Sequence, residues 1–287
     1  MLDYAALSAL AEIIRRGSFE AAAAALGVTP SAISQRIKGL EERMGEVLIH
    51  RGPPARGTPM GLRLMQHLDQ VRLLEQALGA GPGAAPATLR IAVNADSLAT
   101  WFPPVMAALD VIYDLVVDDQ DHARDWLRKA EVSAAISSDP DPVPGCDAYP
   151  LGHMRYHALA TPGFIARHFP HGVTKSALRQ TPAVIFNTKD AAQNRWAETL
   201  TGAKLQLGGH QVPASEAFAR VVELGLGWGM IPDSMAAPAI RDGRLAHLAP
   251  DLPLDIALYW HVQRAIRPAI APLTTAIRTR AAAELRP

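Results

Sequence analysis

One cysteine, Cys146, is all that 287 residues contain, so the chain can close no internal disulfide, and no Cys/His quartet at zinc-ligand spacing stands beside it. A structural thiol and no metal are expected. No apolar run reaches the ~20 residues that cross a bilayer, and the amino terminus opens on an amphipathic helix bearing acids in place of a signal peptide. That points to a cytoplasmic protein with no membrane partner. Excess charge is missing too: 28 Lys and Arg balance 28 Asp and Glu, which argues against indiscriminate coating of polyanions. Any contact with nucleic acid must then come from a local patch. What is present is 49% hydrophobic residues, enough to bury a sizeable core in two or three domains.

Residues 18 to 44 carry the strongest local signal. Ser18 can cap an alanine-rich helix that ends at Gly27, and its small side chains allow a second helix to cross closely. After the turn at Gly27-Val28, Thr29 offers an N-cap oxygen and Pro30 takes the first helical position, where its missing N–H is not needed. In the new helix Ile33, Ile37, Leu40 and Met44 fall at spacings of four, three and four, one stripe facing a core. The opposite side carries Ser31, Ser34, Gln35 and Lys38, with Arg36 beside it, groups suited to base edges and phosphates. An ordinary helical hairpin with a solvated face would show the same periodicity.

The next segment favours DNA. Val47 to Arg51, a turn through Gly52-Pro53-Pro54-Ala55-Arg56, and a return at Gly57-Thr58 form a small wing carrying Arg51 and Arg56. Residues 1 to 60 hold seven Lys and Arg against six Asp and Glu, a net of only +1, so placement must supply what total charge does not. Glu41, Glu42 and Glu46 lie toward the far end of the reading helix or beyond it, away from its N-terminal face.

From Pro59 to Leu78 one long helix is expected, with Leu64, Leu68, Val71, Leu74 and Leu78 forming an apolar stripe. Residues 79 to 86, with three glycines and two prolines, then make a hinge. Strands at Leu89–Val93, Ile112–Val117 and Val132–Ile136 alternate with helices from Ser97 and around His122–Ala130, the rhythm of a parallel sheet. A second α/β unit has strands at Ala183–Phe186 and Gly229–Ile231 and helices near Ala191–Leu200 and Ser215–Leu224. A strand at Ile256–His261 and a helix from Pro268 to Leu285 follow.

With Ser18-Phe19, the alanine run, Pro30-Ser31-Ala32-Ile33-Ser34, Ile37, Leu40-Glu41 and Leu48-Ile49-His50-Arg51 in this order, the chain resembles the LysR-type transcriptional regulators. Asn94 to Trp101, Phe169 to Thr174, Ser215 to Phe218 and Leu258 to His261 resemble the ArgP/LysG branch of that family. Pro30 departs from the pattern, standing where many members carry a glutamine that approaches DNA. The resemblance implies an α/β architecture of three parts: a winged helix-turn-helix over residues 1–58, a linker helix and hinge over 59–87, and a two-lobed, periplasmic-binding-protein-like effector domain. Lobe I would comprise 88–161 and 263–287, lobe II 162–262. It further implies a homodimer or tetramer paired through the linker helix, double-stranded DNA as partner, a response to lysine and arginine, and control of their export, with RNA polymerase as a further candidate partner.

A basic amino acid brings a carboxylate, an α-ammonium and a side-chain cation into the cleft between lobes, and each needs a partner once dehydrated. Ser97 and Thr100, placed at a strand-to-helix junction, are candidates for the carboxylate, although Ser97 would equally cap its own helix. Asp96, Asp118, Asp119 and Glu216 are candidates for the cations, with Ser215 opening the same helix as Glu216; acids at helix starts also complement the helix dipole with no ligand. The DNA-contact candidates are Thr29, Pro30, Ser31, Ser34, Gln35, Arg36, Lys38, Arg51 and Arg56.

Gly225-Leu226-Gly227-Trp228-Gly229 resembles a nucleotide loop but follows a helix and precedes a strand, the reverse of a dinucleotide site, so a turn is expected. His153 and His157 share one face without the acids or cysteines a metal would want. No serine sits in a nucleophile elbow, so neither an enzyme nor a cofactor is expected. Two alternatives stay open: a DNA binder that takes no effector, and a small-molecule-binding α/β protein whose N-terminal hairpin only dimerises.

Overall fold

A computed structural model describes residues 2–79, 87–118 and 123–287. Residues 80–86 of the hinge expected over 79–86, together with Asp119 and His122, therefore lie outside the described residues. Three helices build the head: α1 (Tyr4–Arg16), α2 (Phe19–Leu26) and α3 (Pro30–Met44). Each start is capped by a side chain, Asp3 accepting from the Ala5 and Ala6 amides, Ser18 from Ala21 and Thr29 from Ala32, and each stop is a glycine with positive φ. At Gly17 the need is double, because φ is +68° and a Cβ would sit 2.8 Å from Pro54 Cβ. Ile33, Ile37 and Leu40 are 0% exposed against Leu7, Leu10 and Ala22, and Met44 packs at the margin. Burying those three side chains contributes roughly 5–9 kcal/mol before entropy is counted. Strands β1 (Ile49–His50) and β2 (Arg56–Gly57) pair antiparallel as the wing.

Helix α4 (Pro59–Ala77) joins the head to the rest of the chain. Its Leu64, Met65 and Leu68 enter the head core, while Leu73 enters the core of the following domain. The expected stripe is therefore covered in part by the chain's own head: Leu64 and Leu68 are buried, Val71 and Leu74 half-buried, and Leu78 is 88% exposed. Polar side chains fasten α4 on both sides. Asp69, buried, pairs with Arg15 of α1, and burial holds its carboxyl above the usual range despite that partner. On the far side Gln66 donates to Ser133 Oγ at 3.4 Å, Gln70 bonds Gln263, and Gln76 Oε1 accepts from the Ala87 amide at 3.0 Å.

The C-terminal domain runs β3 (Thr88–Val93), α5 (Ala95–Ala99), β4 (Ile112–Val117), α6 (Ala123–Arg128), β5 (Ala134–Ser137) and β6 (Cys146–Ala160). It continues with α7 (Pro162–His168), α8 (Lys175–Gln180), β7 (Ala183–Ile185), α9 (Ala192–Thr201), β8 (Gly209–Gln211), α10 (Ser215–Glu223) and β9 (Gly229–Pro232). Last come α11 (Asp233–Arg241), β10 (Ala246–His247), β11 (Leu254–Gln263) and α12 (Ala271–Glu284). Strands β4, β3 and β5 lie parallel, as the alternation predicts. They continue through β11 and β6 to β10 in one sheet, with β9 on the other edge of β6. Strand β6 was not anticipated, yet it and β11 are shared by both lobes: β11 pairs β5 at Tyr259–Val262 and β6 from Leu254 to Gln263. Their register slips between Leu258 and Tyr259, beside Gly152, whose φ is +116° and where a Cβ would meet Arg286 O at 2.5 Å. Lobe II rests on the β7–β8 pair and on β9 and β10.

One local expectation is corrected. Helix α5 begins at Ala95, two residues before Ser97, and is only five residues long, so Thr100 stands at its C-terminal end and not at a helix start. The glycine cluster after α10 is a turn leading into β9, as its order in the sequence predicts.

Candidate functional site

Two surfaces concentrate polar groups. On the head, Ser31, Gln35 and Lys38 stand exposed along one face of α3, with Ser34 and Arg36 half-buried beside them and Thr29 and Pro30 exposed at its start. Ser34 and Pro30 line a groove whose other wall is Phe19, Arg51, Gly52 and Pro53, so the N-terminal part of the reading face opens toward the wing. The Arg51 guanidinium lies 5.4 Å from the Phe19 ring centroid and 3.8 Å from Glu41. Glu41 has a second task, its Oε1 accepting from the Leu48 amide at 2.9 Å and pinning the wing to the end of α3. Arg56 faces outward opposite His50. Among the described residues no carboxylate lies within 4.0 Å of Arg36 or Arg56, which leaves both cations available.

The second surface is the cleft between the lobes. Asn94 and Asp96 enter from the β3–α5 junction, Asp118 from the end of β4, Tyr156 from β6, Asp190 and Gln193 from the start of α9, and Ser215 from α10. Asp96 is the centre: Oδ1 accepts from Ser215 Oγ at 2.6 Å and Oδ2 from Tyr156 Oη at 2.8 Å. No cation lies within ion-pair reach of it among the described residues. Burial raises its pKa, the two hydroxyl bonds oppose that rise, and the negative charge of Asp190 adds to it. Asp190 is itself held by the Phe186 and Ala192 amides at 2.9 and 3.0 Å. Among the described residues Asn94, 2% exposed, has no partner for either side-chain polar atom, and Gln193, also 2% exposed, has none for its Oε1. Buried polar atoms need a hydrogen-bonding partner, so this lining suits a polar molecule. Its free space is about 50 Å³, room for a few waters at the ~10–15 Å³ each requires.

A head with an outward polar helix and wing, joined by α4 to two lobes around a polar cleft, has relatives. Residues 4–62 match the family described as bacterial regulatory helix-turn-helix protein, lysR family, and residues 83–282 match the LysR substrate binding domain. This chain belongs to the LysR family. It is 42% identical over 290 residues to the transcriptional regulator ArgP of Pseudomonas aeruginosa, covering 98% of this chain and 96% of that one. The crystal structure of ArgP from Mycobacterium tuberculosis superposes with a TM-score of 0.83 at 39% identity, covering 100% and 99% of the two chains. Full-length LysG from Corynebacterium glutamicum with bound effector Arg gives 0.69 at 35% identity, with 100% of each chain covered. These relatives are transcriptional regulators, and the winged head and two-lobed α/β effector domain are the LysR architecture.

Within that LysR frame the expected effector residues separate. Asp96 and Ser215 meet each other in the cleft, and Asp118 lines it. Ser97 is 0% exposed, its hydroxyl without a partner among the described residues, so it neither caps α5 nor lines the opening. Thr100 turns its hydroxyl back to Asp96 O at 2.6 Å, satisfying the helix end. Glu216 is exposed and outside the lining, because the first turn of α10 points Ser215 inward and its neighbour out. Asp119 lies outside the described residues. Asn94, Tyr156, Asp190 and Gln193 escaped the sequence reading; the alternation His153-Met154-Arg155-Tyr156-His157-Ala158 was the signal that would have put Tyr156 on a strand. Of the two histidines, His153 Nδ1 bonds Pro287 O at 3.1 Å and His157 Nε2 lies 3.3 Å from Asp233, with no group of three metal-ligating side chains among the described residues.

Proposed function

We propose that this LysR regulator takes a basic amino acid, arginine or lysine, into the interlobe cleft and alters its grip on a specific DNA site in response. The observation that carries the reading is Asp96, a buried carboxylate joined among the described residues only by hydroxyls, in a cleft with further acids at Asp118 and Asp190. A guanidinium or ammonium supplies the charge such a group lacks, and the Asn94 amide and Gln193 Oε1, which have no partner among the described residues, add a donor and acceptors for the rest of the ligand. The LysG structure with bound Arg supports that ligand class. A change in lobe closure as the ligand enters has a route to DNA through α4, which is fastened to both head and lobe I. Coupling of ~1–3 kcal/mol would suffice for a useful switch.

On the DNA side the reading assigns base and backbone contacts to Ser31, Ser34, Gln35, Arg36 and Lys38, with Thr29 and Pro30 at the helix start and Arg51 and Arg56 on the wing. Two heads would be paired through the uncovered part of α4 in a dimer or tetramer. Cytoplasmic location, control of amino-acid export and a contact with RNA polymerase extend this reading and rest on the resemblance; among the described residues no helix is long and apolar enough to cross a membrane. Isothermal titration with arginine and lysine tests the effector: a saturable heat with either supports it, and none with both removes the class.

A further inference from the structure

At the mouth of the cleft a lysine of one lobe lies on an acid of the other. Lys189 Nζ, in the loop between β7 and α9, is 3.2 Å from Asp118 Oδ1, at the end of β4. Asp118 lines the cleft and also accepts from Trp126 Nε1 at 2.9 Å on its second oxygen, which fixes the carboxylate in place. Lys189 is held at its root, where its amide donates to Asn187 Oδ1 at 2.8 Å and the Asp190 carboxylate ties the same loop to the Phe186 and Ala192 amides. Its ammonium end is different: half of the side chain is in solvent, so it can swing away at little cost. A primary ammonium on a four-carbon stem is the chemical group that a free lysine ligand would bring, and arginine brings the same charge.

We propose that Lys189 is a built-in competitor for the effector's side-chain cation: its ammonium occupies Asp118 and bridges the lobes when no effector is bound, and an incoming arginine or lysine must displace it to claim that carboxylate. This rests on the basic-amino-acid reading above and deepens it. Asp118 becomes the subsite for the side-chain cation, leaving Asp96 at the inner end of the cleft for the α-ammonium. The device sets a threshold, because ligand is taken up only at a concentration where it outcompetes a tethered ammonium. It also sets specificity, because a neutral analogue of the same shape offers Asp118 no charge, leaves the Lys189 pair in place and gains nothing from that carboxylate.

Isothermal titration of the full-length protein with arginine and with citrulline, the neutral isostere of arginine, tests it in the wild type, Lys189→Gln, Asp118→Asn and the double variant, with thermal melts to confirm that each is folded. Lys189→Gln is expected to tighten arginine about two- to fivefold and to leave citrulline within twofold, the scale of one exposed ion pair. Asp118→Asn is expected to weaken arginine at least as much in the opposite sense. In the Asp118→Asn background Lys189→Gln should have no further effect. A Lys189→Gln change that leaves arginine affinity unaltered, weakens it, moves both ligands alike, or persists without Asp118 overturns the competitor role while the effector reading stands. If the wild type takes neither arginine nor lysine, the effector reading itself has failed, and this one with it.

Discussion

The head and the cleft solve opposite problems. The head turns Ile33, Ile37 and Leu40 inward to 0% exposure and leaves Ser31, Gln35 and Lys38 in water, so its polar groups are solvated until a partner arrives. In the cleft the polar groups are enclosed by the fold: among the described residues Asp96 is joined only by hydroxyls, and Asn94 and Gln193 carry atoms with no protein partner. A surface that waits in water can lose one contact and remain folded, whereas a cleft of buried polar groups favours a ligand whose own polar groups match them. The head therefore suits graded, additive recognition of a long polymer, and the cleft suits selection of one small cation.

The largest effect that separates the two regions should come from Ile37→Asp. An unpaired carboxylate in the head core costs several kcal/mol, on the order of 4–5, and operator binding measured by anisotropy should be lost. Arginine titration should stay within twofold of wild type; if it disappears too, head and cleft are one folding unit and the contrast fails. Next in size is Asp96→Asn, expected to weaken arginine at least tenfold in calorimetry while leaving the melting temperature equal or higher, since a desolvated charge has been removed. Smaller are Ser34→Ala and Gln35→Ala, each expected to reduce specific DNA affinity by ~1–3 kcal/mol with stability changed by less than ~0.5 kcal/mol. Equal losses of stability and binding would place those side chains in the fold and not on the duplex. Arg56→Ala should weaken binding to all sequences alike and lower the salt slope by about one, read from titrations at several salt concentrations.

The smallest effect is a pH dependence that belongs to the cleft alone. Because burial raises Asp96, the folded protein holds that proton to a higher pH than the unfolded chain does. Asp96 therefore adds stability at pH values below its unfolded pKa, and that contribution is lost as pH rises from there through the raised folded value. Arginine, which favours the carboxylate, should bind with proton release and more weakly at the acid end of that window. Urea unfolding across pH in the wild type and Asp96→Asn reads this directly: the slope should flatten in the variant, and an unchanged slope would assign it to another group.

How much of this was legible in the sequence differs between the regions for the same physical reason. The head is built from local periodicity and caps, so Ser18, Thr29, Pro30 and the Ile33-Ile37-Leu40 seam all stand where spacing places them. The cleft depends on pairings between distant segments: Ser215 meets Asp96 across 119 residues, and Tyr156 reaches it from β6. Strand β6 is obscured by Pro150 and Gly152 at its middle, and a helix assumed to start at Ser97 misplaced both Ser97 and Thr100. Helix α4 shows the intermediate case, since periodicity gives its stripe but not which partner covers it, and the head itself takes Leu64 and Leu68.

The most direct test of the whole account is footprinting of the protein on its own upstream region while arginine is titrated, in the wild type and in Asp96→Asn. A protected site whose pattern shifts as arginine saturates the wild type, and holds still in the variant over the same range, is the predicted result. Protection that is identical at every arginine concentration in the wild type would contradict a cleft that speaks to the reading head.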